Sequence, residues 1–275
     1  MTDQFTYELR QTLLQVTDVS LTLGGVPVLR DLNFTVKNIY RPGMHQGQVV
    51  GLLGPSGMGK TCLFRVLAGM EAPDRGSVLL ADDQPVHRGM VGMVAQDYPL
   101  FAHRTVLSNV VVAGCCAGLS TAESQEKAQG LLQRFGMESH QHKYPAQLSG
   151  GQRQRVAIAQ QFMCSDHYLL MDEPFSGLDP IAIARVCDFI KEIAAQDELD
   201  TFIVITHDIN AALEICDTIC LLGRDRDEHD NIIPGARIQK TYNLMDCGIA
   251  WREHPTLLPE CIEMQKEIRT VFPKL

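Results

Sequence analysis

No stretch of this 275-residue chain approaches the roughly 20 apolar residues that a membrane-spanning helix requires. The longest, Val110 to Leu119, is about half that length. Met1-Thr2-Asp3-Gln4-Phe5 lacks the apolar core of a secretory signal. A soluble chain is therefore expected, and any membrane role calls for a separate partner. Basic charge is scarce: 24 Lys and Arg against 33 Asp and Glu leave a net charge of −9, with a pI of about 5.4. That balance argues against a nucleic-acid partner bound on a basic surface. There are nine cysteines but no C-x-x-C pair; the nearest are Cys115-Cys116 and Cys216 with Cys220. Metal-site spacing is thus missing, and buried reduced thiols are the expectation. Internal repeats are also absent.

What is present is a core-forming composition, 45% hydrophobic, enough for one large or two small cores. Gly54-Pro55-Ser56-Gly57-Met58-Gly59-Lys60-Thr61 matches G-x-x-x-x-G-K-[ST]. A chance match in a chain this long has odds of about one in a hundred. Its setting supports it. Gln48 to Leu53 is an apolar run of strand length, and Lys60 to Ala68 reads as a helix ending at Gly69. Strand, glycine loop and helix make a phosphate cradle, because backbone N–H groups and the helix N-terminus both face the anion. Lys60 is expected at the β- and γ-phosphates and the Thr61 hydroxyl on Mg²⁺. Cys62 falls in the first turn of that helix, where two readings stand: a thiolate favoured by the helix dipole, or an inert thiol facing the sheet.

Further on, Leu148-Ser149-Gly150-Gly151-Gln152 fixes five positions at once. Its chance odds are below about one in a thousand. Ser149 with Gln152 is a capping-box pattern, so a helix is expected to start there and continue from Arg153 through Phe162. Gly150 and Gly151 leave its first turn open to an anion.

These two motifs, in this order, resemble the ATP-binding-cassette (ABC) family of ATPases. The resemblance covers about Leu14 to Leu222. It implies an α/β fold: a phosphate-loop NTPase (RecA-like) core with an N-terminal antiparallel β subdomain and an inserted α-helical subdomain. One nucleotide-binding domain is expected over 1–275, with a core at 1–96 and 166–225, a helical signature subdomain at 97–165 and a C-terminal extension at 226–275. The cofactors implied are ATP and Mg²⁺. ATP is expected between two subunits, with Ser149, Gly150, Gly151 and Gln152 of one chain facing the γ-phosphate held by the phosphate loop of the other.

Further positions match family motifs. Tyr168-Leu169-Leu170-Met171-Asp172-Glu173 is an apolar strand ending in two acids. Asp172 matches the Walker B aspartate that holds Mg²⁺, and Glu173 the residue that polarises the attacking water. Gln96 matches the glutamine that senses Mg²⁺ and the γ-phosphate. His207, after the apolar run ending at Thr206, matches the switch histidine. Asp179, in Pro174-Phe175-Ser176-Gly177-Leu178-Asp179, matches the loop that shapes the subunit contact. Lys60, Glu173 and His207 form the expected catalytic set. Two departures accompany the match. Leu23 stands where the family stacks an aromatic residue on adenine, and Lys37 to Gln46 makes an unusually long turn in which Tyr40 is either solvated or folded toward the base.

The remaining pattern is organised around these motifs. Strand-like runs lie on either side of Gly24-Gly25, at Ser77 to Leu80, Met90 to Val94, Thr201 to Ile205 and Ile232 to Tyr242. Helices are expected over Thr121 to Phe135 and Ile181 to Ala195, and a short one over Pro259 to Phe272 with Cys261, Ile262, Gln265, Ile268 and Phe272 on one side. The charged run Gly223 to Asp230 reads as a solvated loop. Scattered histidines, His140 among them, have surface or loop roles as the default.

The resemblance implies the ATPase subunit of a membrane importer, peripheral on the cytoplasmic face of the inner membrane, with separate permease subunits. Pro99 to Val110 resembles the segment that receives the coupling helix of such subunits. The alternative is a soluble ABC ATPase of translation or DNA repair. Such members carry two cassettes or a long coiled-coil insertion, and this chain has neither.

Overall fold

Two long strands, β1 (Glu8–Leu23) and β2 (Val26–Tyr40), open the chain and turn at Gly24 and Gly25, both in the left-handed region. The computed structural model describes residues 6–43, 47–95, 99–165, 167–195, 197, 199–252 and 254–275. After β2 come β3 (Gln48–Leu53), α1 (Lys60–Leu67), β4 (Arg75–Leu80), β5 (Gln84–Pro85) and β6 (Gly92–Val94). Three helices then follow without a strand, α2 (Val106–Cys116), α3 (Thr121–Arg134) and α4 (Gly150–Gln161). The chain returns to the sheet with β7 (Tyr168–Asp172), α5 (Pro180–Ala194), β8 (Thr201–Thr206), α6 (Ile209–Ile215), β9 (Thr218–Arg226) and β10 (Ile232–Asn243), and α7 (Pro259–Val271) closes it.

The described strands form one sheet in the order β5-β4-β1-β2-β10-β9-β3-β8-β7-β6. From β9 to β6 every pairing is parallel. The N-terminal strands pair antiparallel. The parallel strands are apolar on both faces, because helices cover both. Val50, Leu52, Leu170, Ile203 and Ile205 point to one side, into a cluster with Leu63, Phe64 and Leu67 of α1 and Leu14, Val16 and Leu29 of the antiparallel layer. Their neighbours Val49, Leu53, Leu169, Met171, Phe202 and Val204 point to the other, against Ile158 of α4, Ile190 and Ile193 of α5 and Leu213 of α6. That alternation is the period of two that a strand imposes. Each fully buried Leu or Ile here contributes about 1.5–3 kcal/mol.

Several expectations are corrected. The segment from Lys37 is strand, not turn, as far as Tyr40: Lys37, Ile39 and Tyr40 pair with Thr12, Leu9 and Glu8, and Asn38 and Ile39 are buried. Tyr40 neither lies in a solvated loop nor folds toward a base, since the Arg10 guanidinium covers its ring at 3.3 Å. The charged run from Gly223 is strand through Arg226, where Asp225 is paired with Arg237 of the adjacent β10 (2.8 Å) and with Arg30 of β2 beyond it. In α7 the buried face is Cys261, Met264 and Ile268, at helical spacing, while Ile262 is exposed. The cysteines are not uniformly buried: Cys187, Cys216, Cys220 and Cys261 are, whereas Cys115, Cys116, Cys164 and Cys247 are exposed. No helix among the described residues is long and apolar enough to cross a membrane.

Candidate functional site

Three adjacent strands deliver the central residues. The register aligns Leu53 of β3 with Thr206 of β8, and Ile205 of β8 with Asp172 of β7. The glycine loop, His207 and Glu173 therefore leave the sheet side by side at the carboxyl ends of parallel strands, where open α/β sheets bind ligands. α1 starts at Lys60 directly behind the loop, with Gly57 at φ 82° and Gly59 at φ 77°. Val28, at the start of β2, presses on Gly59: a β-carbon there would lie 2.6 Å from Val28 Cγ1.

Lys60 is buried, and its Nζ donates to the carbonyls of Gly54 (2.8 Å) and Pro55 (3.1 Å) while lying 3.4 Å from Glu173 Oε1. Glu173 Oε2 is 2.8 Å from His207 Nδ1 and accepts from Thr206 Oγ at 3.2 Å. A carboxylate has no proton to give, so Nδ1 carries it and Nε2 is left for another partner. Glu173 sits at φ 49°, a conformation that side-chain-bearing residues rarely adopt. The strain is over-determined by its N–H bond to Ile205 O (2.8 Å) and by the three hydrogen bonds that Thr206 and His207 make to its carboxylate. Thr61 Oγ donates to Asp172 Oδ2 at 3.4 Å. Burial, and then the Glu173 charge, push the Asp172 carboxyl up from its usual range.

The second motif opens α4. Ser149 caps α4: its Oγ accepts from Gln152 N at 3.3 Å, and Gln152 Oε1 accepts from Ser149 N at 3.0 Å, the reciprocal box expected. Ser149 to Gln152 line a cavity of about 1140 Å³ together with Glu173, and none of Gly54 to Thr61 lines it. Pro99, Leu100 and Ala102 form another part of its wall. Hydrogen bonds and ion pairs thus gather Lys60, Thr61, Asp172, Glu173 and His207, and of these Glu173 alone lines the cavity shared by Ser149 to Gln152. Asp179 caps α5, accepting from Ile181 N and Ala182 N at 2.9 Å each. Leu23 ends β1 exposed beside the Gly24-Gly25 turn. Cys62 is half-buried and packs with Met58 on the apolar cluster around α1. Gln96 lies outside the described residues.

Two residues escaped sequence reasoning. His140 holds the signature glutamine. Ser149 N–H takes Gln152 Oε1, which leaves Gln152 Nε2 to donate to His140 Nε2 (3.0 Å) and His140 Nδ1 to donate to Ser139 Oγ (2.9 Å). Asn109, fully buried, accepts from Phe101 N (2.7 Å) and donates to the carbonyls of Phe101, Arg104 and Thr105, which pins the segment leading into α2. Neither carries a local motif. Only a polar residue inside an apolar helix face hinted at Asn109.

A lysine that opens a helix behind a glycine loop, beside an acid steadied by a histidine, is the arrangement of the phosphate-loop ATPases, in which protein neutralises charge and positions water. Residues 38–176 match the family model described as ABC transporter. A probable amino-acid ABC transporter ATP-binding protein of Sinorhizobium fredii is 37% identical over 76% of this chain and 86% of its own length. The Fe(3+) ions import ATP-binding protein FbpC of Agrobacterium fabrum is 38% identical over 74% of this chain, which spans only 57% of that relative. Among solved structures, cbiO1 from Clostridium perfringens, part of the ABC transporter complex cbiONQ, superposes with a TM-score of 0.72 at 26% identity, covering 97% of this chain and 96% of that one. This chain belongs to the ABC transporter family.

Proposed function

We propose that the chain is the ATP-binding and ATP-hydrolysing subunit that powers a multi-subunit importer. The observation that carries this reading is the Lys60–Glu173–His207 constellation at adjacent strand ends, 3.4 and 2.8 Å apart. Relatives named for amino-acid and Fe(3+) transport favour it over a soluble role in translation or DNA repair. Those relatives carry different cargo at similar identity, as expected if partner subunits select it.

In this reading Lys60 and the loop N–H groups hold the triphosphate. Glu173 positions the attacking water, with its carboxylate held by His207 and Thr206, and His207 offers Nε2 toward the γ-phosphate. Thr61 and Asp172, with Gln96, would hold Mg²⁺. Their all-oxygen donor set suits a hard cation, and a cation beside Asp172 offsets the burial that raises its pKa. The metal would neutralise charge on the β- and γ-oxygens.

A second chain is expected to supply Ser149, Gly150 and Gly151 to each site, since a single chain keeps them off the phosphate loop. Asp179, six residues after Glu173 in the chain and capping α5, would lie at that contact. Leu23 would flank the base. The cavity wall at Pro99, Leu100 and Ala102, braced by Asn109, is the surface proposed to receive a permease helix, with 97–165 as the signature-bearing subdomain. Membrane association would then be peripheral, through those permease partners.

The test is Glu173→Gln. Phosphate release is expected to fall by about 10²–10⁴-fold while MgATP stays bound, because the phosphate cradle is intact. Near-normal turnover in that variant removes Glu173 from its role. Recovery of the tagged chain from detergent-solubilised membranes without any membrane protein would remove the transporter assignment.

A further inference from the structure

Outside the constellation just described, one charged side chain among the described residues reaches the phosphate loop. Arg224, near the end of β9, donates from Nη2 to the carbonyl of Gly57 at 2.9 Å. Among the described residues no carboxylate lies within salt-bridge distance of it. Its Nε is enclosed without a partner. An unpaired guanidinium with an orphaned donor is unfavourable unless its remaining contact matters. That contact is the loop. The strand position behind it is also built: Arg224 N–H donates to Leu275 O at 2.9 Å, and Gly223 admits Leu275 so closely that a β-carbon there would lie 2.8 Å from it. Gln239 Nε2 donates to Gly223 O at 3.3 Å on the β10 side.

A peptide unit is planar and trans, so its C=O and N–H point in opposite directions. The Gly57 carbonyl and the Met58 N–H belong to one such unit. A hydrogen bond that draws the Gly57 carbonyl toward Arg224 therefore turns the Met58 N–H the other way, away from Arg224. Gly57 at φ 82° gives the loop no side chain to resist this turn. We propose that Arg224 is a positioning residue of the phosphate loop: it orients the Met58 N–H toward the bound phosphates and adds an uncompensated positive charge beside them. The end segment around Leu275 holds Arg224 in place and so acts on the loop through it. This inference rests on the nucleotide reading above.

The experiment compares the full chain with Arg224→Met, which keeps the apolar stem and removes the donors. Affinities for MgATP and for magnesium pyrophosphate are measured by displacement of a fluorescent ATP analogue, with thermal unfolding alongside. Both affinities are expected to fall about tenfold, the size of a lost hydrogen bond from a charged donor, with the unfolding midpoint unchanged. Pyrophosphate carries no base or ribose, so an equal loss for both ligands locates the effect in the cradle. Should Arg224→Met fail to fold, Arg224→Gln, whose amide is too short to reach Gly57, must show the same loss. Unchanged affinity for both ligands overturns the inference. So does a loss confined to ATP, which would make Arg224 a base or ribose contact. If the unsubstituted chain binds neither ligand, the nucleotide reading itself fails; if it binds both and Arg224→Met binds them equally, the inference alone fails.

Discussion

The two glycine-bearing motifs face different things. In the phosphate loop the chain itself demands glycine at two positions. A β-carbon on Gly54 would lie 2.6 Å from Leu222 O, and one on Gly59 would lie 2.6 Å from Val28 Cγ1 at a φ of 77°. In the signature, a β-carbon on Gly150 or Gly151 would meet nothing within 4 Å. Both residues sit in the first turn of α4, where glycine is about 0.5–1 kcal/mol worse than alanine. The first pair is explained by packing within the chain. The second is a local disadvantage with no return inside the chain, which is what a surface kept bare for something outside it looks like. The contrast fits the second-copy site proposed above.

The largest expected effect would break this contrast outright. Gly151→Asp introduces a carboxylate where the partner's γ-phosphate is proposed to sit, and acidic residues are tolerated in a helix's first turn. Its turnover should drop to background with MgATP binding intact. Lys60→Ala should lose binding itself. An equal mixture should recover about a quarter of the unsubstituted rate, because half the dimers are mixed and each holds one whole site. A mixture as dead as its parents, in dimers shown to exchange subunits, would mean that both motifs serve the same chain's nucleotide.

Alanine substitutions sharpen the comparison at smaller scale. Gly59→Ala should destabilise the protein by about 1–3 kcal/mol, through the strained φ and the Val28 contact. Gly151→Ala should leave the unfolding midpoint unchanged or slightly raised, yet slow turnover several-fold. Denaturation curves and phosphate release on both variants measure this. Equal destabilisation by the two would erase the distinction.

The smallest effect is a pH dependence confined to the phosphate-loop side. Asp172 is raised by burial and by Glu173, so its neutral form persists to higher pH than that of an ordinary aspartate. The proposed Mg²⁺ site needs the carboxylate, so MgATP affinity should weaken on acidification, beginning at a higher pH than an ordinary aspartate would give. Asp172→Asn should bind more weakly overall and lose this slope. A flat profile in the unsubstituted chain would separate Asp172 from the metal.

Much of this was legible from spacing alone. The strand–loop–helix at Gly54 to Thr61 and the capping box at Ser149 and Gln152 are local, since each is completed within a few residues of chain. Errors arose where partners are distant. Asp225 looked solvated beside its charged neighbours, but Arg30 and Arg237 come from other strands. Lys37 to Tyr40 looked like a turn because its pairing partner, the start of β1, lies some thirty residues earlier. His140 looked idle because its link to Gln152 closes only when the segment before α4 folds back.

By itself the sequence determined which residue types stand at the ends of apolar strands: a glycine loop with Lys60, the paired acids Asp172 and Glu173, and His207. Those properties belong to residue type and short-range order. Tertiary structure alone decided how they meet. The order β3-β8-β7 puts Lys60, His207 and Glu173 within hydrogen-bonding reach, and the packing around Glu173 holds it at φ 49°. Folding also buries Asp217, where it accepts from Val49 N and Trp251 Nε1 and lies 3.7 Å from Arg41, and burial pushes its carboxyl up to about 6. Contacts of this kind join residues tens to hundreds of positions apart. Their geometry depends on how the whole sheet is ordered, and no local pattern encodes that order.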